Sequence, residues 1–254
     1  MASVSTESYL PESHICFRMK HLFFDLDRTL WDFETNSETA LQRLYDELKL
    51  EKHLRSFNAF HTTYKKINGA LWYKYGLGEI SKSELRIKRF GDTLKKFGVH
   101  DVELAKALGE GYIKISPYQT KLFPKAIETL SELQNEGFAL HIITNGFKEV
   151  QYTKLEKSGI IDFFNVILCS EEVGKNKPAR IVFEQALQRA GAKSNECIMI
   201  GDDYGVDIKG AENVGIQGIL FDPSGKYKIG THEWHIHALD EIPGIIPWIS
   251  KTLV

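Results

Sequence analysis

From residue 117 onward, short apolar segments alternate with segments of helical periodicity, and this alternation constrains the fold more than any other feature. Several helical segments end at glycines, such as Gly137, Gly159 and Gly215, which favour the backbone conformation that ends a helix. Another apolar run lies near the start, so five strands are predicted, at residues 21–25, 138–144, 165–170, 196–201 and 217–221. Strands alternating with helices form parallel sheets covered on both faces, so the sequence predicts an α/β, Rossmann-like doubly wound sheet.

Between the first two predicted strands, residues 34–116 have helical periodicity throughout. Apolar residues recur at helical spacing in 40–48 and 57–71, the capping box Ser81–Glu84 begins a third helix, and a fourth begins near Asp101. An all-α helical-bundle cap is therefore predicted as an insertion in the sheet domain. The predicted division is a tail at 1–18, an α/β domain at 19–33 and 117–254, and a cap domain at 34–116.

Composition limits the classes to which the chain can belong. Hydrophobic residues make up 43% of the chain and charged residues 26%, as in globular proteins. No apolar run approaches the ~18 residues of a membrane-spanning helix, so no membrane association is expected. A net charge of −2 argues against a nucleic-acid polymer as partner.

The expected location is the cytoplasm. The first 18 residues have no apolar core of a secretory signal. The cysteines number three, and Cys169 and Cys197 lie in apolar strand-like runs where a free thiol behaves as a small hydrophobic residue. We therefore expect a reduced, cytoplasmic protein that is a monomer or a weak homodimer.

Polar side chains follow four of the predicted strands. Asp25 and Asp27 follow the first, Thr144, Asn145 and Gly146 the second, Lys177 lies beyond the third, and Asp202, Asp203 and Asp207 follow the fourth. Each group alone is common in turns and loops. Because the carboxyl ends of parallel strands meet at one edge of a sheet, these groups are expected to converge.

Several carboxylates at one sheet edge would repel each other unless a cation compensates their charge. No paired His or Cys stands at ligand spacing beside them, and oxygen ligands favour Mg²⁺ over zinc. A phosphoryl group is then the natural partner of Lys177 and Thr144. A carboxylate can attack phosphorus to form an aspartyl-phosphate, and a second acid two residues on can serve as general acid and base.

Two other phosphate or metal motifs are excluded. An EF-hand at the first acidic motif fails because its glycine position is Leu30 and its twelfth position is Asn36. A P-loop at Gly174 fails because Asn176 replaces the required Ser or Thr.

Two further groups are given structural interpretations. His235 and His237 lie on one face of a possible short strand, but no third ligand is near them in the sequence, so they are predicted to be solvated strand residues. The aromatic stripe of the insertion, including Trp72 and Tyr73, is predicted to lie mainly in the core of the helical bundle.

Four ordered motifs resemble those of the haloacid-dehalogenase (HAD) superfamily hydrolases. They are Phe-Phe-Asp25-Leu-Asp27-Arg-Thr29-Leu, Ile-Thr144-Asn-Gly, Lys177-Pro, and Ile-Gly-Asp202-x₄-Asp207-x-x-Gly-Ala. The helical insertion follows the first motif, where that superfamily places its type 1 cap. Dehalogenase members lack an acid at the position of Asp27, whereas phosphatases and phosphomutases have one. The resemblance therefore favours phosphoryl chemistry over dehalogenation.

The resemblance implies a role for each motif residue. Asp25 would be the nucleophile and Asp27 the general acid and base. Mg²⁺ would be bound by Asp25, Asp202 and the main-chain carbonyl of Asp27. The phosphate would be held by Thr144, Lys177 and the backbone near Asn145 and Gly146, with Thr144 and Lys177 also catalytic. Asp207 would orient the metal ligands from outside the coordination sphere.

A narrower resemblance concerns the substrate. Residues 29–33 and 37–41, together with Phe147 after Thr-Asn-Gly, resemble the branch that dephosphorylates pyrimidine nucleoside 5'-monophosphates. A small phosphomonoester, most simply a nucleotide, is therefore the expected partner. The alternatives are a sugar-phosphate phosphatase or phosphomutase, and a catalytically silent module that binds a phosphorylated ligand. Arg28 replaces a frequent glycine of the family, and neither it nor Asp203 is assigned a role.

Overall fold

The computed structural model describes residues 19–252, in which six parallel strands form one sheet. They are β1 (His21–Phe24), β2 (Ala139–Thr144), β3 (Phe164–Cys169), β4 (Cys197–Gly201), β5 (Gln217–Phe221) and β6 (His235–Ile236). Their order is β3-β2-β1-β4-β5-β6, so the direction of winding reverses beside β1, where sheets of this kind form a ligand crevice. The predicted doubly wound α/β fold is confirmed.

Helices cover both faces of the sheet. They are α5 (Ala126–Asn135), α6 (Lys148–Lys157), α7 (Arg180–Ala190), α8 (Lys209–Glu212) and α9 (Ile242–Thr252). Successive side chains of β1 point to opposite faces, so Leu22 and Phe24 pack in the cluster that includes α5 and α9 residues, while Phe23 packs with residues of α7. Helix α9 was not predicted, because Pro243, Gly244 and Pro247 interrupt its helical pattern.

The predicted helical cap is formed by four helices between β1 and β2. These are α1 (Phe33–Glu47), α2 (Phe57–Gly76), α3 (Lys82–Lys95) and α4 (Val102–Ile115). Each begins after a residue whose side chain accepts a hydrogen bond from the first turn, namely Asp32, Ser56, Ser81 and Asp101. The cap has its own hydrophobic core around Phe60, Tyr64 and Phe90. The predicted domain limits at 34 and 116 stay a prediction.

The aromatic stripe divides between two environments, which corrects part of its predicted role. Tyr64 lies in the cap core as predicted, but Tyr73 is 71% exposed and belongs to no core. Trp72 is half-buried outside the bundle core, because α2 turns this residue toward the sheet domain. Helical spacing locates a stripe of aromatic residues without showing which face of the helix the core covers.

The chain leaves and rejoins the sheet domain at two adjacent points. The Asp32 N–H donates to the Lys121 carbonyl over 3.1 Å. The Asn36 side chain donates to the same carbonyl over 2.8 Å and accepts from the Lys121 N–H over 3.1 Å. The segments that lead into and out of the cap are therefore tied to each other by main-chain and side-chain hydrogen bonds.

Other predictions concern the membrane, the tail and the cysteines. In residues 19–252 the structure has no helix that is both long and apolar enough to cross a bilayer. The predicted tail at 1–18, with Cys16, lies outside the described residues. Cys169 and Cys197 are free and buried, and burial raises the pKa of each thiol to about 12. Both therefore behave as small hydrophobic residues, as predicted.

A histidine pair, of which His141 is buried and His21 half-buried, joins β1 to β2. His21 Nδ1 lies 3.1 Å from His141 Nε2, and His141 stacks on Phe23 with ring centroids 4.7 Å apart. Burial, with a smaller effect of His21, lowers the pKa of His141 from 6.5 to about 4. The unfolded chain therefore binds a proton more tightly than the folded chain between these two values.

We expect the His141 contribution to the free energy of unfolding, on the order of 2–3 kcal/mol, to be lost as the pH is lowered from about 6.5 to about 4. His141→Phe removes the titrating group, so the difference in free energy of unfolding between the parent and this variant should change by this amount over the window. Urea unfolding at a series of pH values measures the effect. His100→Phe, at an exposed cap position, should keep the parent slope. Parallel curves for the parent and His141→Phe would contradict the assignment.

Candidate active site

The side chains predicted from the strand ends converge beside β1 and β4. Asp25 follows β1 directly, and its N–H donates to the Ile200 carbonyl of β4 over 2.9 Å. Asp202 follows β4, and Asp207 lies in the turn after it. One carboxylate oxygen from each of these three aspartates lies within 4.8 Å of the others. The sheet register thus gathers three acids at the point where the strand order reverses.

Lys177 lies among these acids as a buried cation. Its Nζ is 2.7 Å from Asp25 Oδ1 and 2.7 Å from Asp207 Oδ1, and it donates to the Ile143 carbonyl over 2.6 Å. Burial acts to lower the pKa of Lys177, but Asp207 and Asp25 raise it well above its usual value. The ammonium therefore stays charged and fixes the positions of two carboxylates.

One lysine does not balance three carboxylates. Burial raises the pKa of Asp25 to about 7, with Lys177 opposing and Asp207 adding to the shift. Burial, with Asp25 and Asp207, raises the pKa of Asp202 to about 8. Gly201 leaves the room that this crowding needs, because a Cβ there would lie 2.4 Å from Asp207 Oδ2. The donor set is all oxygen and carries excess negative charge, which fits a hard divalent cation.

The loop after β2 holds Lys177 through the side chain of Asn145. Asn145 Oδ1 accepts the Lys177 N–H over 2.8 Å, and Asn145 Nδ2 donates to the Lys177 carbonyl over 3.1 Å. The side chain of Asn145 thus aligns the lysine loop with the loop after β2.

Thr144 and Gly146 lie at the same edge as this pair. The Gly146 N–H donates to Thr144 Oγ1 over 3.1 Å. A Cβ at Gly146 would lie 2.3 Å from Gln151 Cδ, so the close approach of α6 requires glycine. The Thr144 hydroxyl accepts here and keeps its own proton for another acceptor.

The Asp27 carboxylate is held by two residues of α6 that sequence reasoning missed. Lys154 Nζ lies 2.5 Å from Asp27 Oδ1, and Gln151 Nε2 donates to Asp27 Oδ2 over 3.0 Å. Gln151 also donates to Thr144 Oγ1 over 2.7 Å, and Lys154 lies 4.1 Å from the centre of the Trp31 ring. Gln151 and Lys154 are both buried. Their three-residue spacing on one helix face was the available signal, but such polar positions are ordinarily solvated.

The two residues left unassigned by the sequence have structural contacts. Asp203 Oδ1 accepts the N–H groups of Gly205 and Val206, each over 3.0 Å, and so caps the turn that carries Asp207. Arg28 adopts φ 71° and pairs with Glu34 of the cap, Nη2 to Oε1, over 3.0 Å. Asp203 therefore shapes the site, and Arg28 connects its rim to the cap.

The cap contacts the loop that follows β2. Phe147, two residues beyond Asn145, stacks on Trp72 with ring centroids 5.2 Å apart and meets Tyr75 edge-on at 5.4 Å. Lys82 Nζ of α3 lies 4.4 Å from the centre of the Phe147 ring and pairs with Glu149 over 3.0 Å. The end of α2 thus lies over the loop that carries Thr144.

The chain matches known proteins over most of its length. The family model of the haloacid dehalogenase-like hydrolases matches residues 22–221. A ribulose-1,5-bisphosphate 5-phosphatase of Halopiger xanaduensis is 35% identical over 208 residues, 80% of this chain and 84% of that protein. Pyrimidine 5'-nucleotidase PynA of Streptococcus pneumoniae is 32% identical over 205 residues, again 80% and 84%. The crystal structure of the HAD-hydrolase YfnB of Bacillus subtilis, bound to magnesium, has a TM-score of 0.82 at 29% identity and covers 91% of this chain and 99% of its own.

Proposed function

Because the chain belongs to the haloacid dehalogenase-like hydrolases, we propose that it is a Mg²⁺-dependent phosphomonoester hydrolase that forms an aspartyl-phosphate. The observation that carries the proposal is the cluster of Asp25, Asp202 and Asp207 around the buried ammonium of Lys177. Mg²⁺ on Asp25, Asp202 and the Asp27 carbonyl would neutralise the remaining charge and polarise a phosphate oxygen. The magnesium-bound structure of YfnB supports this choice of metal.

Asp25 and Asp27, the two acids of the first motif, have different roles in the reaction. A carboxylate oxygen of Asp25 attacks phosphorus and the bond to the leaving oxygen breaks, while Asp27 gives that oxygen a proton. Asp27, now a carboxylate, takes a proton from the water that attacks the aspartyl-phosphate, which releases phosphate and restores Asp25. Gln151 and Lys154 keep the Asp27 carboxylate oriented while it exchanges this proton.

The phosphate-binding groups come from the loops after β2 and β3. Lys177 offsets the charge that grows on the phosphoryl oxygens as the new bond forms. Thr144 has a hydroxyl proton free to donate to one of these oxygens, because its own oxygen already accepts from Gly146 and Gln151. Of the substrate, Lys177 and Thr144 would contact only the phosphoryl group, so they should act alike on every phosphomonoester.

For the substrate we favour nucleoside 5'-monophosphates. Trp72 and Tyr75, both half-buried and packed on Phe147, place aromatic surface beside the loop of Thr144, and nucleobases stack on such rings. The relative PynA, a pyrimidine 5'-nucleotidase, supports this choice. A sugar phosphate is the second candidate, favoured by the relative from Halopiger xanaduensis, a ribulose-1,5-bisphosphate 5-phosphatase.

A phosphate-release screen with Mg²⁺ tests the proposal. Nucleoside monophosphates, sugar phosphates and phosphoglycolate are compared at equal concentration, with and without EDTA. We expect hydrolysis that depends on Mg²⁺ and the highest kcat/KM among pyrimidine nucleotides. A higher value for sugar phosphates would select the second candidate. Tight binding of a phosphorylated ligand without turnover would indicate the silent binding module instead.

Trp72→Leu tests the contribution of the cap to specificity. Because its ring would border the leaving group of the proposed substrate rather than the phosphoryl group, the change should alter the ranking of nucleotides against sugar phosphates. Hydrolysis of p-nitrophenyl phosphate should stay within about tenfold of the parent. Tyr73→Leu, at the adjacent exposed position, is the matched control and should leave the ranking unchanged. Equal losses on all substrates in Trp72→Leu would instead make this residue part of the catalytic apparatus.

A further inference from the structure

The strand pairing brings Asp222 to His235 and His237, which corrects the prediction that the two histidines have no third ligand nearby. Asp222 follows β5 directly, and its N–H donates to the Ile236 carbonyl of the parallel neighbour β6 over 2.8 Å. One possible ligand atom from each of the three residues lies within 4.8 Å of the other two. The third ligand was missed because it lies 13 positions before His235 and depends on the register of the sheet.

The side chain of His235 is largely buried and has an unsatisfied nitrogen. Its side chain is 9% exposed, and its Nε2 has no hydrogen-bonding partner among the residues that the structure describes. This Nε2 lies 3.4 Å from Asp222 Oδ2. A buried nitrogen without a partner is costly, and here it lies beside a carboxylate without a good hydrogen bond between them.

His237 is oriented as metal-binding histidines commonly are. Its Nδ1 lies 2.6 Å from the main-chain carbonyl of Asp222, so Nδ1 carries the proton and donates it. In the neutral ring this hydrogen bond leaves the lone pair of Nε2 for a metal ion. A ring N–H donated to a backbone carbonyl is the usual outer contact of a metal-bound histidine. The rings of His235 and His237 lie with their centroids 4.9 Å apart.

The carboxylate of Asp222 is fixed before any ion arrives. Its Oδ1 accepts the Lys226 N–H over 2.8 Å, and its Oδ2 accepts the Tyr227 N–H over 2.8 Å. Oδ1 also accepts the Ser224 hydroxyl over 3.3 Å, whereas Oδ2 keeps a second lone pair. The side chain is therefore held in one rotamer with a lone pair of Oδ2 still available on the side of His235.

We propose that Asp222, His235 and His237 form a second metal site, which binds Zn²⁺ with a water in the fourth position. Two ligands at the usual Zn–N and Zn–O distances of about 2.0–2.1 Å lie about 3.4 Å apart in a tetrahedron. That separation matches the distance from His235 Nε2 to Asp222 Oδ2. Two imidazoles and one carboxylate favour zinc over Mg²⁺, which prefers oxygen ligands. The exposed position of His237 opens the site to solvent.

The site would stabilise a loop that contacts the active site. Asp222 begins this loop, and the hydroxyl of Tyr227 accepts the Tyr204 N–H over 3.1 Å. Tyr204 follows Asp202 and Asp203 in the turn after β4. Zinc at Asp222 would therefore tie β6 to the loop that supports this turn, and its expected effect is on stability rather than on the chemical step.

Zinc binding by the full-length protein in excess Mg²⁺ tests the proposal. Excess Mg²⁺ occupies the all-oxygen site. The zinc that stays bound after gel filtration gives the stoichiometry, and titration in the presence of a colorimetric zinc indicator gives the affinity. The parent should bind one more equivalent than His235→Gln or His237→Gln, and each variant should have more than tenfold weaker affinity at this site. Zinc should also raise the melting temperature of the parent and not of the variants.

His100→Gln, which removes an exposed histidine of the cap, is the matched control and should bind zinc like the parent. His237→Gln changes an exposed side chain, so its fold should be intact even if His235→Gln is unstable. Equal zinc stoichiometry and affinity in the parent and in His237→Gln would overturn the proposal. The cluster would then be an ion pair of His235 with Asp222.

Discussion

Asp25→Asn is expected to lower kcat by on the order of 10³ or more on every substrate. The amide cannot attack phosphorus to form the acyl-phosphate, and it replaces one of the anionic oxygens that would bind Mg²⁺. Steady-state phosphate release at saturating Mg²⁺ measures the loss. In the parent, trapping of acid-stable label from a ³²P-substrate on the protein should detect the intermediate, and the variant should trap none.

Asp203→Asn is the matched control for the nucleophile. Asp203 lies at the same sheet edge, but its carboxylate caps a turn through Gly205 and Val206, and asparagine caps such turns as well. Its kcat should therefore stay within a few-fold of the parent. Near-parent turnover by Asp25→Asn would rule out the covalent mechanism, and an equal loss in both variants would point to general disruption of the site.

Lys177→Met is expected to produce large losses of both activity and stability. It removes the ammonium that contacts Asp25 and Asp207 and leaves their buried carboxylates without a cation. Breaking a buried ion pair in this way typically costs about 3–5 kcal/mol. Loss of a charged group that stabilises the transition state should also lower kcat by roughly 10²–10³ on all substrates alike. Urea unfolding in EDTA and the phosphate-release assay measure the two effects.

Comparing the stability loss of Lys177→Met with and without Mg²⁺ distinguishes an effect of the lysine charge from an effect of its packing. Mg²⁺ should restore part of the stability of Lys177→Met, because a divalent cation offsets the same carboxylates. Lys175→Met, an exposed lysine two residues away, should unfold and turn over like the parent. A stability loss of the same size with and without Mg²⁺ would mean that Lys177 acts through packing rather than through its charge.

The sequence predicts those parts of the fold and site that depend on local periodicity. Short apolar strands ending in Asp25 and Asp202 are recognisable because buried parallel strands form continuous apolar runs and their carboxyl ends meet at one edge. Helix α9 escaped prediction because Pro243, Gly244 and Pro247 are residues that usually interrupt helices, although Pro243 lies in the first turn, where a helix tolerates proline.

Side-chain partners that depend on tertiary register were not predictable. Lys154 looks like any lysine on a helix surface, and its burial against Trp31 and Asp27 follows only from the packing of α6 on the sheet. The sequence around Asp222 indicates a turn, and only the pairing of β6 with β5 brings His235 beside it. Such contacts join residues with no repeating spacing in the chain.

The hydrogen bonds between Asp32, Asn36 and Lys121 affect how proteins with this domain arrangement can change their caps during evolution. Because these residues hold the two ends of the insertion together, the insertion that contains α1 to α4 joins the sheet domain much as a short loop would. A module of different length or helix number could replace it without moving Asp25 or the strands around it. Recombination that replaced the whole insertion at this junction would change the substrate preference in one step, while the catalytic residues of the sheet domain would be kept.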